Sequence, residues 1–360
     1  MTLSDITSLR IQNQEIQHQR FSLAKDLVAY MGAMQAQDYL MAKWAVGLRL
    51  QESSDASIME AYNKGEIIRT HLMRPTWHFV SCDDVYWLLE LTAPQIKSLN
   101  KSRDRQLELD EAIFSRSNAM LEKALRGGVN LNRDELTRMY QEANIKTNEN
   151  RLSHLLMRAE LDGIICNGAV KQNKLTYALL SEKVPVRKLF SHEESLAELA
   201  KRYFTSHAPA TLRDFVWWSG LSVSEAKKAM EMIKSNFVPT IIDGSTYLFK
   251  ANQPVIPQNT SLYLLPAFDE LLIGYTNRLA TIGSAHQPIA ISNNGLFRPI
   301  IVENGRVTGV WKRITVKKRV IIEVTLFSIA SSNIKTALEQ EIKKQALFLD
   351  KDVELVLKVE

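Results

Sequence analysis

The sequence predicts an α+β fold: tandem helix, helix, hairpin units followed by a β-rich C-terminal part. Three observations predict it. In the middle of the chain two amphipathic helical segments run directly into a pair of β-prone segments. The same order recurs downstream and, more loosely, upstream. From about Pro254 helical periodicity gives way to strand-like runs.

The clearest unit lies in the middle. Residues 132–143 read as a short helix that Asn132 can cap, with Leu136 and Met139 on one face. A second helix over 148–162 puts Leu152, Leu155, Leu156 and Ala159 on the side to be buried. Arg151, His154 and Arg158 fall together on another side, and Gly163 ends the helix. Residues 164–166 and 175–179 then read as two strands of a hairpin, whose tip Lys171, Gln172, Asn173, Lys174 is polar and basic. This order is that of a winged helix.

Downstream, helices over 195–206, 211–219 and 222–236 precede strands around Asp243-Gly244, a strong two-residue hairpin signal. Upstream, helices over 23–33, 38–50 and 57–64 precede strands over 67–72 and 76–80, with a turn at Met73, Arg74 and Pro75. The C-terminal part has strand-like runs at 261–265, 295–302, 306–315 and 319–327, a hairpin signal at Asn304-Gly305 and an amphipathic helix near 334–346. The expected divisions are therefore 1–110, 111–190 and 191–253 for three winged-helix units, the first with its connecting helices, and 254–360 for the β-rich domain. No low-complexity linker separates them, so the boundaries should be short loops.

Composition narrows the class without deciding it. A hydrophobic content of 45% with 24% charged residues is ordinary for a globular chain. No window reaches the roughly 18 uninterrupted apolar residues of a membrane span, and nothing at the start reads as a leader, so a cytoplasmic protein is expected. Only Cys82 and Cys166 occur, which supports two buried, reduced thiols and neither a disulfide framework nor a Cys-rich metal site. The formal charge of +5 is compatible with a polyanionic partner and does not require one.

The candidate residues follow from the units. In a winged helix one helix enters the major groove while the wing reaches phosphates or a neighbouring groove, so Arg151, His154, Arg158, Lys171 and Lys174 are natural DNA contacts. In Met34-Gln35-Ala36-Gln37-Asp38, Asp38 is a good cap for the helix beginning at Tyr39. Gln35 and Gln37 then lie on an extended lead-in, where i and i+2 share a face and can hold a water. Two glutamines near a helix start are more often plain surface. His71 and His78 fall on opposite strands of a hairpin with no third ligand at a recognised offset, so a metal is not expected.

Several segments together resemble the AlkZ family of bacterial DNA glycosylases. They are Gln35-Ala36-Gln37; Arg69-Thr-His-Leu-Met-Arg-Pro-Thr-Trp-His-Phe-Val; Ser206-His-Ala-Pro-Ala-Thr-Leu-Arg-Asp-Phe-Val-Trp-Trp-Ser-Gly; Leu265-Pro-Ala-Phe-Asp-Glu; and Gly305-Arg-Val-Thr-Gly-Val-Trp-Lys. The resemblance implies tandem winged helices in a C shape with a C-terminal β-barrel. It also implies that the two glutamines are catalytic, which maps onto Gln35 and Gln37. On this reading Arg69, His71, Arg74, Arg213, Lys312 and Arg313, which lie in or beside those segments, join the expected DNA contacts. A second-position Gln is nearer the subgroup acting on bulky alkyl adducts and interstrand crosslinks.

The implied reaction suits these residues. An alkyl group on N3 or N7 makes a purine cationic and a good leaving group, so the demand falls on positioning water beneath a sugar that approaches an oxocarbenium ion. A carboxamide oxygen can do that, and nothing harder. No nucleophilic lysine is identifiable, so monofunctional hydrolysis by a monomer without metal or organic cofactor is expected. The competing expectation is a transcription regulator that uses the same units on DNA without chemistry.

Overall fold

The computed structural model describes residues 2–188, 190–251, 253–254, 261–316, 319–328 and 334–359. The expected C-terminal boundary at 254 therefore leads into 255–260, outside the described residues.

The N-terminal part runs α1 (Leu3–Asn13), α2 (Ala24–Met31), β1 (Met34–Gln35), α3 (Tyr39–Gly47), α4 (Asp55–Lys64), β2 (Ile67–Leu72), β3 (Thr76–Ser81) and the long α5 (Val85–Gln106). The middle part follows as α6 (Glu111–Leu125), β4 (Leu131–Asn132), α7 (Arg133–Glu142), α8 (Arg151–Leu161), β5 (Ile165–Asn167), β6 (Thr176–Leu179) and α9 (Leu180–Lys183). Next come α10 (His192–His207), α11 (Leu212–Ser219), α12 (Val223–Ile233), β7 (Phe237–Ile242) and β8 (Ser245–Lys250). The C-terminal part is β9 (Leu262–Leu265), α13 (Glu270–Ile273), α14 (Gln287–Ala290), β10 (Ile300–Glu303), β11 (Arg306–Val316), β12 (Arg319–Leu326), α15 (Ile334–Leu349) and β13 (Asp352–Val359).

Local chemistry sets these elements. Asn132 caps α7 in a capping box with Glu135, and Ser191, Thr211 and Ser222 open α10, α11 and α12 the same way. Asp243-Gly244 and Asn304-Gly305 take positive φ at both positions and close two-residue hairpins, as does Gln172-Asn173 between Lys171 and Lys174. Each of the three expected units thus has its helices and its hairpin. What the periodicity did not reveal are α1, α5, α6, α9, α13 and α14, the C-terminal strand β13, and the edge strands β1 and β4, which extend two of the hairpins into three-stranded sheets of order β1-β3-β2 and β4-β6-β5.

The C-terminal sheet departs from the barrel expectation. Its order is β13-β12-β11-β10-β9, antiparallel except for the parallel β12 and β13, and among the described residues β9 and β13 are both edges. It is an open sheet. The segment after α15 returns as β13 beside β12 rather than closing onto β9, and α15 covers the sheet with Leu338, Ile342 and Phe348. The expected strand over 295–302 begins only at Ile300, because Ile291 bridges Phe297 across a turn at Gly295.

The cores do not follow the units one to one. Trp44, Tyr62 and Phe79 of the N-terminal part share a core with Trp311, Ile322 and Phe348 of the C-terminal part. The opposite side of the first hairpin, with Ile68, Leu72 and Val80, joins Trp87 of α5 to Tyr203, Phe215 and Trp218 of α10 and α11. The middle part has a core of its own around Phe114, Leu136, Tyr140, Leu155 and Ile165. Cys166 is buried as expected, while Cys82 is half-exposed at the start of α5 beside Asp83. No helix among the described residues is long and apolar enough to cross a membrane.

One contact places α11 against the β2–β3 turn. Gly220 ends α11 at φ +71°, and a Cβ there would lie 2.2 Å from the Met73 carbonyl oxygen. Only glycine meets both demands. We expect Gly220→Ala to lower stability by about 1–3 kcal/mol or more through left-handed strain and the clash together. Thermal unfolding measures it; an unchanged Tm would show that this approach is not needed.

Candidate active site

The segment carrying the two glutamines is fixed by its backbone. Gln35 sits on β1 opposite His78 of β3, and the Ala36 N–H donates to the Trp77 carbonyl at 2.8 Å. Asp38 caps α3 as expected, its Oδ1 accepting the Leu40 and Met41 N–H groups at 3.1 Å. Beneath the segment the Arg69 guanidinium donates to the carbonyls of Ala36 and Gln37, so β2 holds the lead-in from below.

The two side chains differ in surroundings. Gln35 is 4% exposed; its Oε1 accepts from Arg74 Nη2 at 3.2 Å and from Thr76 Oγ1 at 3.4 Å. A guanidinium can only donate, which fixes the amide so that its NH2 points away from Arg74. Gln37 is exposed, and among the described residues its carboxamide has no protein partner. Gln37 is thus exposed where Gln35 is buried, and the chain bends at Gln37 after only two residues of strand.

A buried polar cluster lies behind Gln35. Glu270, at the start of α13, accepts the Gln35 N–H at 2.8 Å and the Trp218 indole N–H at 3.0 Å, and its Oε2 lies 3.3 Å from His207 Nε2. Burial works to raise the Glu270 carboxyl, but the His207 bond and charge and the Gln35 N–H outweigh it, leaving its pKa lowered. Asp269 next to it pairs with the fully buried Arg49, which also bonds the Ala45 and Gln14 carbonyls, so α13 is anchored to the N-terminal part. His78 is buried, its Nδ1 3.0 Å from the Thr76 carbonyl; burial, with the Arg74 charge, pushes it down to about 3. It is neutral at every physiological pH, so no imidazolium faces Gln35.

Several expected DNA contacts are committed inside the protein. Arg69 is 4% exposed, stacks on Trp77 and bonds Asn167 as well as the two carbonyls. His71 is buried between Trp77 and Glu160, and Glu160 also takes the Asn167 amide. These residues join the first hairpin to β5 and α8 rather than facing a ligand. Arg151, His154 and Arg158 do share a side of α8, but it packs onto the end of α5 and the start of α6. Arg151 pairs with Glu108 and Glu149, His154 with Asp104, and Arg158 with Glu111 and Asp162. The periodicity located a basic face correctly and could not show that three acidic residues lay across from it.

Other expected contacts remain at the surface. Lys171 and Lys174 are exposed at the hairpin tip, with Lys174 paired to Asp134. Arg213 is exposed on the first turn of α11. Lys312 is exposed and paired across the strands with Glu323. Arg313 is half-buried near Asp38 and Asp55, with its Nη1 unpartnered, and burial lowers its pKa. Arg74 is half-buried over Trp217 and in contact with Gln35. Residue patterns gave no reason to single out Glu270, His207 or Trp218, yet all three stand inside the segments that carry the family resemblance, and that recurrence was the available signal.

His78 generates a pH prediction. Its folded pKa lies near 3 and its ordinary value near 6.5, so below pH 6.5 the unfolded chain binds a proton that the folded chain excludes. This contribution to stability is complete above pH 6.5 and is lost as pH falls toward 3. Between pH 7 and 5 it amounts to about 2 kcal/mol. Denaturant titrations of wild type and His78→Gln at both pH values should show a smaller pH dependence in the variant. Equal dependences would contradict the assignment.

Comparison with known proteins gives the family. The family model described as DNA glycosylase AlkZ-like matches residues 28–348. A Streptomyces sahachiroi protein named interstrand DNA cross-link repair glycosylase is 24% identical over 321 residues, 84% of this chain and 85% of that protein. The structure of the Streptomyces sahachiroi DNA glycosylase AlkZ superposes with a TM-score of 0.82 at 21% identity, over 99% of this chain and 100% of that one. The transcription-regulator alternative gains no support from these matches. With the matched region spanning Gln35, Glu270 and every core described above, this chain belongs to the AlkZ-like DNA glycosylase family.

Proposed function

We propose that this protein hydrolyses the N-glycosidic bond of cationic N3- or N7-alkylated purines in duplex DNA, leaving an abasic site. The observation that carries the reading is the pair of unlike glutamines: one fixed and buried on a polar cluster, the next exposed and without a protein partner. The exposed Gln37 carboxamide orients the attacking water, and its dipole favours positive charge developing on the sugar. Gln35 forms the floor of the site, held in one orientation by Arg74 and Thr76. The buried Glu270 carboxylate lies behind it and accepts its backbone N–H, offsetting the Arg74 charge, while His78 is neutral.

The same features limit the substrate. Neither glutamine is a base or a nucleophile, so neutral undamaged purines should resist cleavage while a base already cationic leaves readily. The Streptomyces sahachiroi relative is named for interstrand cross-link repair; bulky adducts and crosslinks are therefore included in the substrate class. The three helix and hairpin units act as winged helices on the duplex, with the Lys171 and Lys174 tip against phosphates and one chain sufficient for binding.

The test is release of N7-methylguanine from duplex DNA under single-turnover conditions, followed chromatographically. Gln37→Ala and Gln35→Ala should each reduce excision by about 10²-fold or more, the scale of losing one well-placed polar group in a transition state. Affinity for undamaged duplex should change little. Normal excision by the doubly substituted protein would falsify the assignment of the glutamines. No release by the wild type from any alkylated duplex would remove the glycosylase reading.

A further inference from the structure

Beside Gln35 stands an exposed cluster of which Arg74 alone takes part in the water-positioning site. Helix α11 carries Arg213 and Trp217 four residues apart, so they share its solvent-facing side. Both are exposed, Trp217 at 40%. The indole is not free to turn, because its N–H donates to the Ile273 carbonyl at 2.9 Å. Two guanidinium groups flank it, with Arg74 Cζ 5.2 Å and Arg278 Cζ 5.9 Å from the ring centroid.

Among the described residues neither cation is held in a salt bridge, although the Glu270 charge acts on Arg74 and the Asp214 charge on Arg278. Among the same residues Arg74 Nε is buried without a partner. Arg278 is braced by its Nε to the Leu272 carbonyl at 2.8 Å and by its Nη1 to the Thr276 carbonyl at 3.3 Å, which leaves Nη2 free. Burial, with the like charges of Arg74 and Arg10, outweighs the opposite charge of Asp214 and holds Arg278 down to about 10. Arg278 also lines an open cleft of about 580 Å³ together with Arg213, Thr211, Thr246 and Asn277. A rigid half-exposed ring beside cations that have no salt bridge matches a ligand with a flat ring and an adjoining anion, which is the chemistry of a nucleotide.

We propose that Trp217, Arg278 and Arg213 form a nucleotide subsite of the DNA substrate, in which a base stacks on the Trp217 indole and the adjoining phosphate is taken by the two arginines. The subsite rests on the glycosylase reading for the identity of its ligand as DNA. It lies next to the reacting centre, since Arg74 contacts both the indole and the Gln35 carboxamide oxygen. Its task is to set which nucleotide comes to rest beside Gln37. This is a specificity role, separate from water activation.

The experiment measures anisotropy of labelled undamaged duplex and of duplex with one N7-methylguanine, over a series of salt concentrations, with base release followed in parallel. Trp217→Ala should weaken binding of the lesion duplex by about 5- to 100-fold, the range for losing one stacked base, while Trp217→Phe keeps a ring face and stays within about 3-fold of wild type. Arg278→Ala should weaken both duplexes and lower the salt slope by about one ion. Wild-type affinity in Trp217→Ala, or equal losses in the Ala and Phe variants, would overturn the stacking platform; an unchanged salt slope in Arg278→Ala would overturn the phosphate contact. If the wild type binds but releases no base, the glycosylase reading fails, whereas the binding comparisons still decide the subsite.

Discussion

The Glu270 carboxylate joins parts of the chain that are up to 235 residues apart, and the site depends on it. It receives the backbone N–H of Gln35 from β1, the indole N–H of Trp218 from α11 and faces His207 at the end of α10. A buried carboxylate is costly unless its lone pairs are met, and here each oxygen has a donor. Because these partners come from three separate elements, meeting them fixes how those elements sit together. The neighbouring Asp269 extends the same logic to Arg49 and α3.

From this follows a division of labour between the glutamines. The strand that offers its N–H to Glu270 also turns the Gln35 side chain toward Arg74 and Thr76, so this carboxamide has one orientation. Two residues on, the chain has already bent to place Asp38 as the cap of α3, and Gln37 is left facing solvent. The buried Glu270 anion behind the floor offsets the Arg74 guanidinium that touches Gln35, and the neutral His78 adds no further cation there.

Much of the architecture was legible in the sequence because it is written in local signals. Capping residues, the Asp243-Gly244 and Asn304-Gly305 turns and the apolar spacing of α8 each act within a few residues. The site was legible only in part. Gln35 and Gln37 were found through a motif, but the periodicity that put Arg151, His154 and Arg158 on one face carries no information about Glu108, Asp104 and Glu111 across from it. Likewise Arg69 and His71 read as basic surface until Asn167 and Glu160, nearly a hundred residues away, are seen to meet them. The open C-terminal sheet has the same cause, since the parallel pairing of β13 with β12 is a long-range choice. Long-range charge pairing is what one sequence conceals.

The measurement that most directly tests this account is single-turnover excision of N7-methylguanine by Glu270→Gln, alone and combined with Gln35→Ala. An amide at position 270 replaces one acceptor oxygen with a donor and turns it toward an existing N–H, so the Gln35 peptide loses its anchor. The account predicts a fall of about 10²-fold in excision with duplex affinity nearly unchanged, and little further loss in the double variant, because both substitutions disable one unit. Wild-type excision by Glu270→Gln, or losses that multiply in the double variant, would contradict it.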